Sequence, residues 1–353
     1  MTIRDPLSTA FIMTTRLFAS ALLMTLAGTL PAQQPAPVTA TLVSVAKIWD
    51  RSNHNAFTDL IRFQNLFYCC FRESQAHVGG DGTIRILASY DAKTWSPVAE
   101  IKAEGVDLRD PKLAVTKDDR LICFMGGSIY KGTTLMGRQP RVSTSTDGKN
   151  WSPPVKSLSE GDWLWRAVWN DADKKFYGTV YNTHPTSAGP KPEAEWTLKL
   201  YTSLDGKVWQ LNAPWDIKGQ PNEATVRVQP DGNMLALVRR EAPGNNTGEI
   251  GSAPPPYRDW KWTPLQVPLG GPNFIVLPDG KIIAGSRGFG KTPGAHMVLF
   301  SMTATSLTPI LELPSSGDCS YPGMVYNEGT LYVSYYSSHE GKTSIYLAQV
   351  KVQ

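Results

Sequence analysis

A short phrase recurs three times along this 353-residue chain at nearly constant spacing. It reads Ser89-Tyr90-Asp91-Ala92-Lys93-Thr94-Trp95, then Ser145-Thr146-Asp147-Gly148-Lys149-Asn150-Trp151, then Ser203-Leu204-Asp205-Gly206-Lys207-Val208-Trp209. The steps are 56 and 58 residues, from Ser89 to Ser145 and from Ser145 to Ser203. Repeats of this length are the mark of propeller blades or arrayed units. The residue types fit a tight turn between two strands. Asp accepts backbone N–H bonds, Gly tolerates the turn, and Trp supplies a large apolar anchor. A weaker fourth copy runs from Ser252 to Trp262-Thr263-Pro264.

Between these phrases lie pairs of apolar runs joined by polar turns. Ala224–Val228 and Met234–Val238 flank Pro230-Asp231-Gly232, and Phe274–Leu277 and Ile282–Gly285 flank Pro278-Asp279-Gly280. Lys112–Val115 and Leu121–Phe124, and Met324–Tyr326 and Leu331–Tyr335, repeat the arrangement. Such pairs read as hairpins. Their starts fall near Asp59, Asp110, Arg166, Glu223, Asn273 and Tyr321, which makes six units. No long helical periodicity competes. The fold expected is all-β, a six-bladed β-propeller with four strands per blade, occupying residues 45–353 as one domain.

Residues 1–33 read as an export signal, with Met13 an alternative start. Arg16 precedes the apolar run Leu17–Leu30, and Pro31-Ala32-Gln33 follows. That run is 14 residues long, short of the ~20 that a spanning helix needs. Residues 34–44 read as a flexible leader. The expected location is therefore periplasmic or extracellular, with no membrane span once the signal is removed.

Charge is nearly balanced, 35 basic against 31 acidic residues, and no basic block stands out. This argues against a nucleic-acid or membrane-surface partner. No nucleotide loop or redox-cofactor motif is present, so no cofactor is expected. Cys69, Cys70, Cys123 and Cys319 have no metal-ligand spacing and read as buried thiols. His54, His77, His184 and His339 are scattered along the chain, and no metal site is expected from them.

In a propeller the loops that lead into the innermost strands meet at one end of the central channel. Residues far apart in sequence then converge there. The mouth ends of the innermost strands carry Asp59, Arg109, Asp110, Arg166, Glu223 and Tyr321. The residues just after each hairpin's second strand add Arg72, Glu73, Arg239, Arg240, Arg287 and His339. Arginines around carboxylates and a tyrosine suit a carboxylate-bearing sugar, because the planar guanidinium holds a carboxylate with two bonds.

On these residues the chain resembles the sialidase (neuraminidase) superfamily. The three turn phrases are similar to that family's Asp-box, one residue shorter between Asp and Trp than its commonest form. Asn222-Glu223-Ala224-Thr225-Val226 followed by Arg239-Arg240 resembles the segment with the catalytic Glu and the second substrate arginine. Gly285-Ser286-Arg287 resembles the segment of the third arginine, and Ser320-Tyr321 that of the catalytic tyrosine. The resemblance implies Tyr321 as nucleophile, Glu223 as its base, and Arg287 with Arg239 or Arg240 as a carboxylate clamp. It implies a first-blade aspartate as acid/base, with Asp81 nearest in the matching stretch and Asp59 and Asp110 as rivals. Arg72, Arg109 and Arg166 are further substrate-binding candidates. The implied activity is release of a terminal acidic sugar from a glycan or glycoconjugate, with retention of configuration.

The chain departs from the family's pattern in its first blade. Asn55-Ala56-Phe57-Thr58-Asp59-Leu60 stands where the family places the first clamp arginine. Two further readings therefore stay open. One is a non-catalytic glycan-binding propeller. The other is a hydrolase of a different sugar that uses mouth carboxylates such as Asp59, Asp110 or Glu223.

Overall fold

The computed structural model describes residues 38–183, 196–244, 246–288 and 293–353. The expected signal segment and His184 lie outside the described residues. The described residues fold into six four-stranded antiparallel sheets, with no helix among them. The all-β, six-bladed expectation is met.

Blade 1 is β2 (His54–Phe63), β3 (Leu66–Ser74), β4 (Thr83–Ser89) and β5 (Ser96–Ile101). Blade 2 is β6 (Asp107–Val115), β7 (Leu121–Lys131), β8 (Thr134–Ser145) and β9 (Val155–Lys156). Blade 3 is β10 (Trp163–Asn170), β11 (Lys175–Asn182), β12 (Thr197–Ser203) and β13 (Gln210–Trp215). Blade 4 is β14 (Pro221–Val228), β15 (Met234–Arg240), β16 (Thr247–Ala253) and β17 (Lys261–Pro268). Blade 5 is β18 (Gly270–Val276), β19 (Ile282–Gly288), β20 (His296–Met302) and β21 (Leu307–Glu312).

The sixth blade closes the ring. Its strands are β22 (Ser320–Asn327), β23 (Thr330–Ser337), β24 (Ser344–Val352) and, on the outer edge, β1 (Ala40–Trp49). β1 pairs with β24 from Ala40–Val352 to Trp49–Ile345. Part of the segment expected to be a flexible leader is thus a strand. The pairing gives β24 a partner for backbone groups that an open edge would leave exposed.

The recurring phrase occupies the turn between the third and fourth strands of blades 1, 2 and 3. In an antiparallel blade that turn lies at the end opposite the start of the innermost strand. Asp147 Oδ1 accepts from the backbone N–H groups of Lys149 at 2.9 Å and Asn150 at 2.8 Å, and Asp205 Oδ1 does the same for Lys207 and Val208. Asp91 does so for Lys93 and Thr94, and these bonds hold its carboxyl down at about 2. Each tryptophan packs into the interface with the preceding blade: Trp95 between blades 6 and 1, Trp151 between 1 and 2, Trp209 between 2 and 3. Trp262 does the same between blades 3 and 4, so the weaker fourth copy holds the equivalent place. Apolar interfaces of this kind, at ~25 cal/mol per Å², stabilise the ring. All four cysteines are buried free thiols.

Candidate active site

The site is built from one repeated irregularity. Every innermost strand slips register against its neighbour near its first residues. The slips fall between Ala56 and Asp59, Arg109 and Lys112, Leu164 and Arg166, Pro221 and Ala224, Gly270 and Asn273, and Ser320 and Gly323. Bulges re-aim side chains out of the ladder. The residues so released are Phe57, Asp110, Trp165, Asn222-Glu223, Gly271 and Tyr321. Phe57, Asp110, Gly271 and Tyr321 stand at φ of 67°, 52°, 62° and 53°. Left-handed backbone is costly for Phe, Asp and Tyr, and such strain concentrates at functional sites. In three blades a proline follows, Pro111, Pro272 and Pro322, and it has no N–H to leave unpaired where the ladder breaks.

Blades 4, 5 and 6 bring Glu223, Gly271 and Tyr321 into contact. Tyr321 Oη donates to Glu223 Oε1 at 2.5 Å, and Gly271 N donates to Glu223 Oε2 at 2.6 Å. Arg239 Nη1 sits 2.8 Å from the same Oε2, and its Nη2 pairs with Glu241. Burial pushes the Glu223 carboxyl up. Arg239, the tyrosine hydroxyl and the Gly271 N–H outweigh that and hold it below the usual carboxylate range. Burial and the neighbouring Glu223 charge push the Tyr321 phenol well above its ordinary value. The resting couple is therefore a neutral phenol donating to an ionised carboxylate.

A cavity of about 360 Å³ opens over this couple. Arg109, Asp110, Arg138, Trp163, Tyr181 and Arg239 line it, together with Glu223, Glu241 and Tyr321. Asp110 is buried, and its Oδ1 has no hydrogen-bond partner among the described residues. Burial raises its carboxyl above the usual range, and the charge of Glu223 adds to this against the pull of Arg109 and Lys112. The Asp110 carboxyl is pushed up while that of Glu223 is held down, and environments that move two carboxyls apart suit one to an acid's role and the other to a base's. Arg109 donates to Tyr130 Oη at 3.1 Å and to His77 O at 3.3 Å, and it lies 5.0 Å above the Phe57 ring. Phe57, released by the first-blade bulge, therefore packs beneath the Arg109 guanidinium.

The sequence reading missed Arg138, which reaches the cavity from β8 across the rings of Trp163 and Tyr181. The length of the β7–β8 hairpin, 11 and 12 residues against 7 to 9 for its counterparts in blades 1, 3, 4 and 5, is the signal that could have pointed to it.

Other expected site residues have other surroundings. Arg72 is buried and gripped by Asp107, Nε to Oδ1 at 2.7 Å and Nη2 to Oδ2 at 3.0 Å, and its Nη1 donates to Ala76 O. Arg240 is turned to Glu249 at 3.0 Å and to Thr247, which distinguishes it from Arg239. Asp59 and Arg166 pair in the channel, Nη1 to Oδ1 at 2.9 Å, while Asp59 Oδ2 accepts from Leu113 N at 2.8 Å. Arg287 lines an adjoining pocket with Arg239 and Glu241. Asp81 is exposed on the β3–β4 loop and is not among the residues lining the cavity.

The histidines are less scattered than their positions in sequence suggest. His54 Nε2 and His77 Nδ1 lie 3.1 Å and 2.7 Å from the same oxygen, Asp318 Oδ2. The ring closure that sets blade 6 beside blade 1 brings them together, and no local spacing encodes it.

Comparison with solved structures finds the same fold elsewhere. A protein of unknown function from Dyadobacter fermentans DSM 18053 matches with a TM-score of 0.76 at 20% identity, over 89% of this chain and 100% of its own. The fold is that of the sialidase-like propellers. The GH93 α-L-arabinofuranosidase of Fusarium graminearum matches with a TM-score of 0.66 at 14% identity, over 88% of this chain and 98% of its own. The sialidase of Trypanosoma rangeli matches with a TM-score of 0.64 at 12% identity, over 84% of this chain and 55% of its own. No family model and no curated protein matches the chain.

Proposed function

We propose that this protein is an exported, retaining exo-glycoside hydrolase in which Tyr321 is the nucleophile, Glu223 its base and Asp110 the acid. The observation that carries the reading is the 2.5 Å bond from Tyr321 Oη to Glu223 Oε1, in a cavity that also holds the raised carboxyl of Asp110. The structural likeness to a sialidase and to an arabinofuranosidase supports glycoside hydrolysis as the reaction class.

The roles follow from the opposite directions in which the two carboxyls are moved. Tyr321 Oη attacks the anomeric carbon and passes its proton to Glu223 as the bond forms. Asp110 gives its proton to the departing glycosidic oxygen, completing cleavage of the carbon–oxygen bond. Asp110, now ionised, takes a proton from water as that water attacks the tyrosyl glycoside. Tyr321 leaves and recovers its proton from Glu223. A phenol is weak as a nucleophile at its own pKa, and an adjacent base activates it. Proton transfer by positioned groups contributes about 10²–10⁴-fold.

The sugar we propose is terminal and acidic, its carboxylate met by Arg109 and Arg239, which both line the cavity. A second reading, a neutral sugar, is favoured by two observations: the first-blade bulge carries Phe57 and no arginine, and Glu241 offsets Arg239. Fluorogenic α-sialosides tested beside neutral furanosides separate the two. Turnover of the sialosides alone supports the acidic sugar, and turnover of the furanosides alone supports the neutral one. No turnover of either by folded protein, across a wider keto-acid and pentoside panel, leaves a glycan-binding module in place of the enzyme.

A further inference from the structure

We propose that His54, His77 and Asp318 form a binding site for one divalent transition cation of the zinc class, which fastens the β3–β4 loop to blade 6. The three ligand atoms lie within 4.8 Å of one another. Bonds of ~2.0–2.2 Å from zinc to nitrogen and oxygen put tetrahedral ligands roughly 3.3 Å apart. The observed separations of 3.1 Å and 2.7 Å from Asp318 Oδ2 to the two ring nitrogens need only a small expansion.

The surroundings hold these ligands in place. Tyr336 Oη donates to Asp318 Oδ1 at 2.9 Å, which fixes the carboxylate and leaves Oδ2 facing the histidines. Outer bonds of this kind orient metal ligands. The His54 ring is buried against Phe57 at 5.9 Å, and the His77 ring meets the same Phe57 edge-on at 5.2 Å. The side chain of His77 is 48% exposed and that of Asp318 28%, so solvent reaches one side of the cluster and can supply a fourth ligand. Two imidazoles and a carboxylate suit zinc and its neighbours and disfavour calcium and magnesium, which take oxygen ligands.

The position gives the ion a consequence. His77 sits on the loop whose Ala76 and Gly79 carbonyls accept from Arg72, and its own carbonyl accepts from Arg109 in the cavity. Tyr336 stacks edge-on to Tyr321 at 5.8 Å. A bound cation therefore fixes the backbone that positions Arg109. It also braces Tyr336 beside the tyrosine of the proposed couple.

The test uses the chelator-stripped full chain, titrated with Zn²⁺ and with Co²⁺, with Ca²⁺ as a third titrant. The expected result is one equivalent of Zn²⁺, visible d–d absorption from Co²⁺ in a site of low coordination number, and no competition from Ca²⁺. His77→Ala and Asp318→Asn each weaken Zn²⁺ binding by more than about 100-fold, because loss of outer-shell partners alone costs 10–100-fold. His339→Ala, outside the cluster, leaves it unchanged. His77 is half-exposed, so its variant keeps the fold, as far-UV circular dichroism verifies. The proposal is overturned if the wild-type chain binds no stoichiometric Zn²⁺, or if His77→Ala binds it as tightly as wild type.

Discussion

The ring of Tyr321 lies against the bare α-carbon of Gly271: a β-carbon there would stand 1.7 Å from Tyr321 Cδ1. Gly271 is also the residue whose N–H holds Glu223, and its φ of 62° suits glycine. One residue without a side chain thus makes room for the phenol and fixes the carboxylate that receives its proton. Gly271→Ala forces the ring away from Glu223. The expected outcome is a loss of kcat of about 10²-fold or more, since misplacement of about 1 Å costs that much. Steady-state kinetics with circular dichroism to verify folding checks it, and near-normal kcat would contradict the proposed couple.

Tyr321→Phe keeps the ring packing against Phe57 and Trp165, at 5.2 Å and 5.0 Å, and removes only the hydroxyl. If Tyr321 Oη forms the covalent bond, activity falls at least 10²–10⁴-fold. Mass spectrometry of wild-type protein quenched with a 2-fluoro or 3-fluoro glycosyl fluoride should find the adduct on Tyr321. An adduct on Glu223 instead would transfer the nucleophile to the carboxylate.

Asp110→Asn removes the proposed acid. Activity needs Glu223 ionised and Asp110 protonated, so the pH profile is expected to be a bell. Its acid limb lies below the usual carboxylate range and its basic limb above it. The variant should lose far more rate on substrates with poor leaving groups than on aryl glycosides, and on aryl glycosides the basic limb should vanish.

The same carboxyl makes a stability prediction. Its pKa is raised in the folded chain above the ordinary 3.8, so the folded state keeps the proton longer than the unfolded state. Its contribution is full below 3.8 and is lost as pH climbs to the raised folded value. Above that window Asp110→Asn should therefore unfold at higher denaturant than wild type. Equal midpoints at all pH values would show that the burial is not felt.

Asp59 plays a different part in the channel. It neutralises Arg166 and lies near the buried cation of Lys112 and the half-buried one of Arg227, the latter pushed down to about 9 by desolvation and Arg166. Asp59→Ala leaves these charges uncompensated and should cost about 3–5 kcal/mol of stability. Urea unfolding of the variant measures this, and a cost below ~1 kcal/mol would mean that water enters the channel.

The blade count, the strand order within a blade and the far-end turns could be read from the chain because each depends on local periodicity. Asp91, Asp147 and Asp205 bond residues two and three positions ahead, so their role is written in a seven-residue window. Glu223 and Tyr321 stand in segments that resemble a family's pattern, and the structure brings the two side chains into contact. Arg239 and Arg240 could not be told apart, because alternation along β15 puts one at the mouth and the other against Glu249, and a slip of one residue exchanges them. Arg72 looked like a ligand, although its partner Asp107 stands 35 residues away in the next blade.

From the residues alone came the repeat, the all-β class, the six units and the set of polar groups at their mouths, since turn chemistry and alternation act over a few residues. The tertiary structure decided which of those groups face the cavity. Closure of the ring by β1 on β24 sets blade 6 beside blade 1, and a bulge near the start of each innermost strand takes residues out of its ladder. Side-chain direction after a bulge, and the desolvation that moves Asp110 and Glu223 apart, depend on neighbours from other blades. No short stretch of sequence carries that information.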